Sequence, residues 1–386
     1  MKGKRKKTGR KKILAIPDCG HFTGYKPCFP GTTCLKDCID PRPIGTNILL
    51  VNLEAMGHIL VTTSLLPALK RKYPESTISW ITLKNADPLL ENNPLVDRVY
   101  LWEPESWLML QAMEFDVVIN IDKSVHAGSF VGGLRAKKKL GYGIDKHGVI
   151  VPLNKEAEYN YRLGLDDHLK FWVNTKPNTQ LLCEAVGLAY HRDEYILNLT
   201  QEEIDFCRDY RGEVGLDNND LIVGFNTGCS LLYQNKKMTV DQHVVLIQEL
   251  SGQEGIRLAL LGGPEDTERN AEIKRQVGDQ VVNTPTTEGL RRGICYENLC
   301  DVVISGDSFG MHVAIGLKKY VVVWFGVSCP QEIDLFGRGV KLIPEDLVCS
   351  PCWKKTCPHN LECIQLIDLE QIVREVRLYR DRVERR

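Results

Sequence analysis

The stretch 47–59, Asn-Ile-Leu-Leu-Val-Asn-Leu-Glu-Ala-Met-Gly-His-Ile, restricts the possible folds more than any other part of the chain. An apolar run ends in a glycine turn and opens directly into an amphipathic helix carrying Ile59, Leu60, Leu65, Leu66 and Leu69. That is the first strand–loop–helix of an open parallel sheet. Such sheets bind ligands beyond the carboxyl ends of their strands, so the spacing predicts His58 at the lip of a crevice. At a helix N-terminus the positive end of the dipole disfavours an imidazolium. A neutral imidazole there can take a proton from a hydroxyl.

The same alternation continues in two series. Strands are expected at 48–52, 77–82, 98–101, 117–121 and 149–151, with helices at 59–72, 104–113 and 125–134 and one or two more over 160–187. After a break near 190–199 it restarts behind a capping box, Thr200 with Glu203 three residues on. Further strands are expected at 221–225, 257–261, 281–283, 302–305 and 320–324, and helices at 240–250, 266–277 and 312–316. A last helix, 368–382, has a stripe of Ile372, Val373, Val376 and Tyr379 and is expected to pack across both domains. The fold class is therefore α/β: two doubly wound, Rossmann-like domains facing across a cleft, with Cys-rich segments at both ends. The expected divisions are 1–45 (basic arm and Cys-rich segment), 46–195 (first Rossmann-like domain), 196–345 (second Rossmann-like domain) and 346–386 (Cys-rich finger and helix).

The net charge of -1 conceals an asymmetry. Residues 1–12 hold eight Lys or Arg and no acid, which leaves 41 basic and 50 acidic residues elsewhere, a net of -9. A basic arm on an acidic body is either a solvated tail or a device for anionic lipid head groups, at about 1 kcal/mol per basic residue near the surface. The arm interleaves no aromatic residues for base stacking, which argues against nucleic acid. No apolar run approaches the roughly 20 residues needed to span a bilayer, and no signal-peptide segment is visible. A cytoplasmic protein, resting peripherally on the inner membrane, is the expectation.

Three sites in the second half follow strand ends. Asn226, Thr227, Gly228, Cys229 and Ser230, with Lys236 and Lys237 beyond, can cradle a phosphate through backbone N–H groups and charge; a solvated turn is the bland reading. Gly262, Gly263, Pro264, Glu265 and Asp266 place acids at a helix start, either for ribose hydroxyls or merely to cap the helix. The sharpest is Asp307-Ser308-Phe309-Gly310-Met311-His312, a glycine-flanked turn that opens a helix. Its N–H groups would face an anion. The alternative is that Asp307 and Ser308 cap the helix while His312 packs inside.

Together these motifs resemble the heptosyltransferase-type glycosyltransferases, glycosyltransferase family 9, which have the two-domain GT-B fold. The resemblance rests on 48–51 with Met56-Gly57 and Thr62 to Leu69, on Asp116 to Ile119 and Leu140-Gly141-Tyr142, and on Leu261 to Pro264 and Asp307-Ser308 with Met311-His312. It implies transfer of a sugar, ADP-heptose being the first donor to test, to a hydroxyl of a lipopolysaccharide core or other surface glycan, with inversion and no catalytic metal. Implied donor contacts are Thr227, Gly228, Lys236, Gly263, Glu265, Asp266, Asp307, Ser308, Gly310, Met311 and His312. Glu54, Asp122 and His126 are expected on the acceptor side. One departure stands out: the family usually has an aspartate as base after the Met-Gly pair, and here the residue is His58. Other GT-B groups carry a Gly-His pair in this loop, so His58 is the expected base. Two rival readings stay open: a catalytically inactive nucleotide-sugar-binding or assembly protein, and a protein glycosyltransferase with a polypeptide acceptor.

Eight of the fourteen cysteines form two quartets: Cys19, Cys28, Cys34, Cys38, and Cys349, Cys352, Cys357, Cys363. Four close thiolates in a reducing compartment are more often metal ligands than disulfides. A closed sulfur set suits structural zinc or iron, an iron–sulfur cluster included, and leaves no open position for catalysis. Free thiols are the alternative for each. The other six cysteines read as buried apolar residues.

Overall fold

The structure is a computed structural model that describes residues 14, 16–35, 38–53, 55–216, 220–345 and 347–384. The first series runs β1 (Thr46–Val51), α1 (Met56–Thr63), α2 (Leu65–Lys72), β2 (Ser76–Thr82), β3 (Arg98–Leu101), α3 (Pro104–Ala112), β4 (Glu114–Asn120), α4 (Val125–Gly133), β5 (Arg135–Ile144) and β6 (Ile150–Pro152). Helices α5 (Glu158–Arg162) and α6 (Asn178–Ala185) follow. The second series is α7 (Gln201–Glu213), β7 (Leu221–Asn226), α8 (Val240–Ser251), β8 (Ile256–Leu261), α9 (Thr267–Val277), β9 (Val282–Asn283), α10 (Leu290–Asn298), β10 (Val302–Gly306), α11 (Phe309–Gly316), β11 (Tyr320–Trp324) and β12 (Gly339–Leu342). Two helices, α12 (Glu362–Gln365) and α13 (Leu369–Glu384), end the described chain.

The two sheets have equivalent strand orders, β3-β2-β1-β4-β5-β6 and β12-β11-β10-β7-β8-β9. All pairings are parallel except that of β5 with β6. Helices cover both faces, so the central strands are buried, β7 and β10 throughout and β1 from Ile48 to Val51. In each sheet the order reverses beside the first strand, between β1 and β4 and between β7 and β10. Crevices open there at the carboxyl ends.

One apolar cluster spans both domains. Ile59 and Leu60 of α1 and Met311 and Ile315 of α11 belong to the same buried cluster, which also takes in Tyr195 and Leu197 of the connecting segment. Bidentate pairs brace that segment: Arg71 with Asp193, Arg192 with Asp334, and Arg338 with Glu194.

Several elements differ from the sequence expectation. The expected helix 59–72 is divided at Ser64 because Pro67 has no N–H to give to the preceding turn. Strand β5 escaped notice because Arg135, Lys137, Lys138 and Lys139 break its apolar pattern, and β12 and α10 were also missed. Helix α13 does not bridge the domains. It packs on the second one, where Ile372, Val373 and Val376 join the cluster of Leu246 and Ile247 and Tyr379 stacks on Tyr320 at 4.4 Å. Among the described residues no helix is long and apolar enough to cross a membrane. The basic arm lies outside the described residues, and the segment after it is tied to β2 and β3: Thr77 Oγ1 donates to Ile44 O at 2.8 Å, and Arg98 donates to Gly20 O.

Candidate active site

On the second-domain lip, Asn226 at the end of β7 donates through Nδ2 to Ser305 Oγ at 2.9 Å and to Ser308 Oγ at 2.7 Å. This fastens the β7 loop to the turn after β10. Gly310 presses so close that a β-carbon there would overlap the Asn226 amide, so only glycine lets the first turn of α11 sit this deep. Lys236 Nζ donates to Asp307 Oδ2 at 2.6 Å, with the two side chains 13% and 14% exposed. Burial opposes ionisation of Asp307, but Lys236, helped by Ser328 and His312, holds its carboxyl below the usual carboxylate range. Burial pushes the His312 imidazole down to about 4, with Asp307 resisting and Lys236 adding to the fall. Its Nδ1 lies 3.4 Å from the Tyr195 hydroxyl.

On the first-domain lip, Asp122 at the end of β4 accepts from Asn52 Nδ2 at 2.7 Å and from the Leu53 N–H. Its carboxylate pins the β1 loop. The chain then passes through Ala55 with φ of 54°, a left-handed backbone that costs a non-glycine residue about 1–3 kcal/mol. The His58 N–H closes this turn on Ala55 O at 2.7 Å. Gly57 abuts the facing helix: a β-carbon on it would come within 2.5 Å of His312 Cδ2. The N-termini of α1 and α11 therefore meet, which sets half-buried His58 close to His312, itself beside Asp307 and Lys236. Burial lowers the His58 pKa to about 4, with smaller pushes from His312 and Lys123. Lys123 is exposed along its stem, with its ammonium on Asn160; desolvation of that ammonium lowers it to about 8, with Lys170 adding and Glu332 opposing. Lys170 and Glu332 are 3.6 Å apart, and burial raises Glu332 against the pull of Lys170.

The cleft thus gathers His58, Lys236, Asp307, Ser308, Gly310 and His312. Other expected contacts face elsewhere. Thr227 is 1% exposed and its Oγ1 donates to Asn270 Oδ1 at 2.5 Å, so its hydroxyl is engaged inside the domain. Asp266, 5% exposed, takes Lys237 Nζ at 3.0 Å and the Gly263 N–H at 3.1 Å, and Gly228 lies directly against its carboxylate. It is a clip between loops, not a ribose acceptor; Glu265 is the exposed acid of that pair. Met311 is fully buried in the core, so its side chain cannot meet a donor. Asp122 is likewise a buried loop clip and not an acceptor contact. His126 is exposed at the start of α4, its ring 5.9 Å from that of Trp102. Glu54 lies outside the described residues.

Sequence reasoning missed Lys123 as a site residue, although it lies just past the end of β4 at an order reversal, and it read Asn226 only as part of a phosphate loop and not as the fastener of the turn after β10. For Lys170, Glu332 and Tyr195 no local pattern announces a role.

None of the fourteen cysteines is in a disulfide. Cys349, Cys352, Cys357 and Cys363 line one cavity of about 20 Å³, room for roughly one water-sized guest. Cys357 Sγ accepts from the N–H groups of His359 and Leu361 at 3.3 Å each, and burial together with the other three thiols raises Cys363 to about 11. Thiols that repel one another's ionisation around one small space are a suitable donor set for a soft cation. Among the described residues no three His, Cys, Asp or Glu side chains already form a chelating group. In the N-terminal quartet Cys28 is exposed and Cys19, Cys34 and Cys38 are half-buried. Cys19 is held below the usual thiol range, chiefly by the Arg42 N–H. Of the six remaining cysteines, five are buried as expected and Cys229 is half-buried.

With this geometry established, comparison with known proteins decides the lineage. The profile of glycosyltransferase family 9 (heptosyltransferase) matches residues 106–362. The chain belongs to that family. Within it, a lipopolysaccharide core heptosyltransferase, OpsX of Haemophilus influenzae, is 20% identical over 294 residues, 71% of this chain and 79% of its own. A lipooligosaccharide heptosyltransferase 2 of Campylobacter jejuni is 25% identical over 183 residues, 45% of this chain and 56% of its own, so the match spans little more than half of that relative. Among solved structures, the family 9 glycosyl transferase of Veillonella parvula superposes with a TM-score of 0.66 at 18% identity, over 85% of this chain and 95% of that one. The dodecameric iron-containing heptosyltransferase TibC, solved with ADP-D-β-D-heptose, gives 0.53 at 12% identity, over 88% and 79%. The paired Rossmann-like domains are those of the GT-B heptosyltransferases. The family 9 profile begins downstream of His58, at residue 106.

Proposed function

We propose that this family 9 member is an inverting transferase that moves heptose from ADP-heptose to a hydroxyl of a lipopolysaccharide core or another surface glycan. One observation carries the reading: Gly57 packs against His312, so the helix start that bears His58 meets the helix start beside the Lys236–Asp307 pair. The acceptor oxygen attacks the anomeric carbon as His58 takes its proton, and the bond from that carbon to the β-phosphate oxygen breaks. The departing ADP gains negative charge. Lys236 and the N–H groups that open α11 supply the counter-charge, with Asp307 releasing Lys236 to the phosphates. No catalytic metal enters this scheme.

A pKa of about 4 makes His58 a weak base in the empty cleft. Two phosphates bound opposite would favour the imidazolium and raise that value towards the working pH, so donor binding itself primes the base. The Cys349, Cys352, Cys357, Cys363 set fits structural zinc or iron, which would cross-link the finger. Iron is the first to assay because the structural neighbour TibC contains it. Attraction of residues 1–12 to anionic lipid would hold the enzyme near lipid-linked acceptors.

Calorimetry against ADP-, UDP- and GDP-sugars, followed by a transfer assay on heptose-deficient lipopolysaccharide, tests the reading. Binding of the ADP-sugar with transfer to the glycan supports it. Donor binding with neither transfer nor hydrolysis supports an inactive binder, and transfer to polypeptide alone supports a protein glycosyltransferase.

A further inference from the structure

The cysteine finger carries one large side chain into the cleft. Trp353 directly follows Cys352 and has φ of 51°, in the left-handed region that a bulky residue occupies at a cost of about 1–3 kcal/mol. Its surroundings impose this conformation. The N–H groups of Cys352 and Trp353 both donate to Val327 O, at 3.1 and 2.9 Å, and the indole N–H donates to Cys329 Sγ at 3.4 Å. Held there, the indole lies 4.3 Å from Lys170 Nζ and 5.1 Å from Lys236 Nζ. Tyr233 packs against it edge-on at 5.7 Å and offers its own ring to Lys236 at 5.3 Å.

These two lysines come from different domains, Lys170 from the stretch between α5 and α6 and Lys236 from the stretch between β7 and α8. A second tie leads back to the finger. Asn235, the neighbour of Lys236, lines the cysteine cavity and donates through Nδ2 to Lys354 O at 2.8 Å. The electron-rich face of an indole attracts ammonium groups, most strongly where water is excluded.

We infer that Trp353 is a positioning residue of the diphosphate site, its indole holding Lys236 and Lys170 at the cleft mouth and a metal ion bound by the finger cysteines keeping the indole in place. This rests on the proposed contact of Lys236 with the donor diphosphate. It goes further in making donor affinity depend on the finger.

The test uses the full chain with its metal and compares ADP affinity and donor KM in the parent, Trp353→Phe, Trp353→Leu and Lys236→Ala. Phenylalanine keeps an aromatic face and loses the N–H; leucine keeps bulk and loses the face. The expected result is a loss of about 5- to 10-fold in ADP affinity, and an equal rise in donor KM with kcat little changed, in the leucine variant, and near-parent values in the phenylalanine variant. Chelation with EDTA should shift tryptophan emission in the parent and leave the Trp353→Phe emission nearly unmoved, with parent ADP affinity falling to that of the leucine variant. Parent-like ADP affinity in the leucine variant overturns the inference if Lys236→Ala is weakened; if Lys236→Ala is also unaffected, the donor-site reading itself fails. Equal losses in the leucine and phenylalanine variants, or emission that ignores EDTA in metal-loaded parent, also overturn it.

Discussion

The lip formed by β7 and β10 is braced side chain to side chain: Asn226 across to Ser305 and Ser308, Lys236 to Asp307, Lys237 to Asp266. The facing lip, from β1 and β4, is fastened by Asp122 as far as Leu53, then turns through left-handed Ala55 into His58. On the proposed reading the first lip receives the anionic donor and the second supplies the His58 ring that takes the proton. The family 9 profile covers the whole of the first lip and, on the second, excludes the β1 loop. Binding and proton transfer should therefore be separable by mutation, one lip at a time.

The largest effect is expected on the first-domain lip. His58→Ala should lower kcat by about 10²- to 10⁴-fold while ADP affinity stays within about twofold, as for loss of a general base. His58→Asp, with the carboxylate usual in the family, should recover part of that rate. Steady-state kinetics beside calorimetry checks both; parallel loss of affinity and rate would erase the division. On the other lip, Lys236→Ala should weaken ADP binding by about 10- to 100-fold, the worth of a charge-assisted hydrogen bond.

Next come the glycines that let the lips approach. Gly310→Ala forces Asn226 away and Gly57→Ala forces His312 away, each at about 1–3 kcal/mol of stability by overpacking. Thermal melting should show both losses. ADP affinity should suffer more from Gly310→Ala, since that change lies within the anion-facing lip.

The last effect concerns pH. Burial lowers His58, His243 and His312 to about 4 in the folded chain, against about 6.5 when unfolded. Between those values the unfolded chain binds more protons. Stability is therefore complete above pH 6.5 and falls as pH drops towards 4, by about 1–3 kcal/mol per histidine. Urea midpoints at pH 7 and pH 4.5 should differ in that direction; equal midpoints would mean the rings are solvated.

Much of this was readable from the chain. Unbroken apolar strands such as β1, β7, β10 and β11 announced themselves, and the Gly-His and Asp-Ser turns sat where strand ends place ligands. Strand β5 did not, because lysines outside the core hide its pattern. Within the loops, residue type alone could not separate cleft-facing groups from inward ones. Asp266 and Thr227 look like ligand contacts until Lys237 and Asn270 are seen to hold them. Lys170 and Trp353 reach the site only through tertiary packing, which no local spacing records.

The most direct test of the account is the titration of the His58 ring by NMR, assigned against His58→Gln, with and without ADP. The account predicts a midpoint near 4 in the empty protein that moves up when ADP is bound. A midpoint near 6.5, the ordinary value for histidine, that ADP leaves unchanged would contradict it. In that case the imidazole would neither be desolvated nor face the diphosphate.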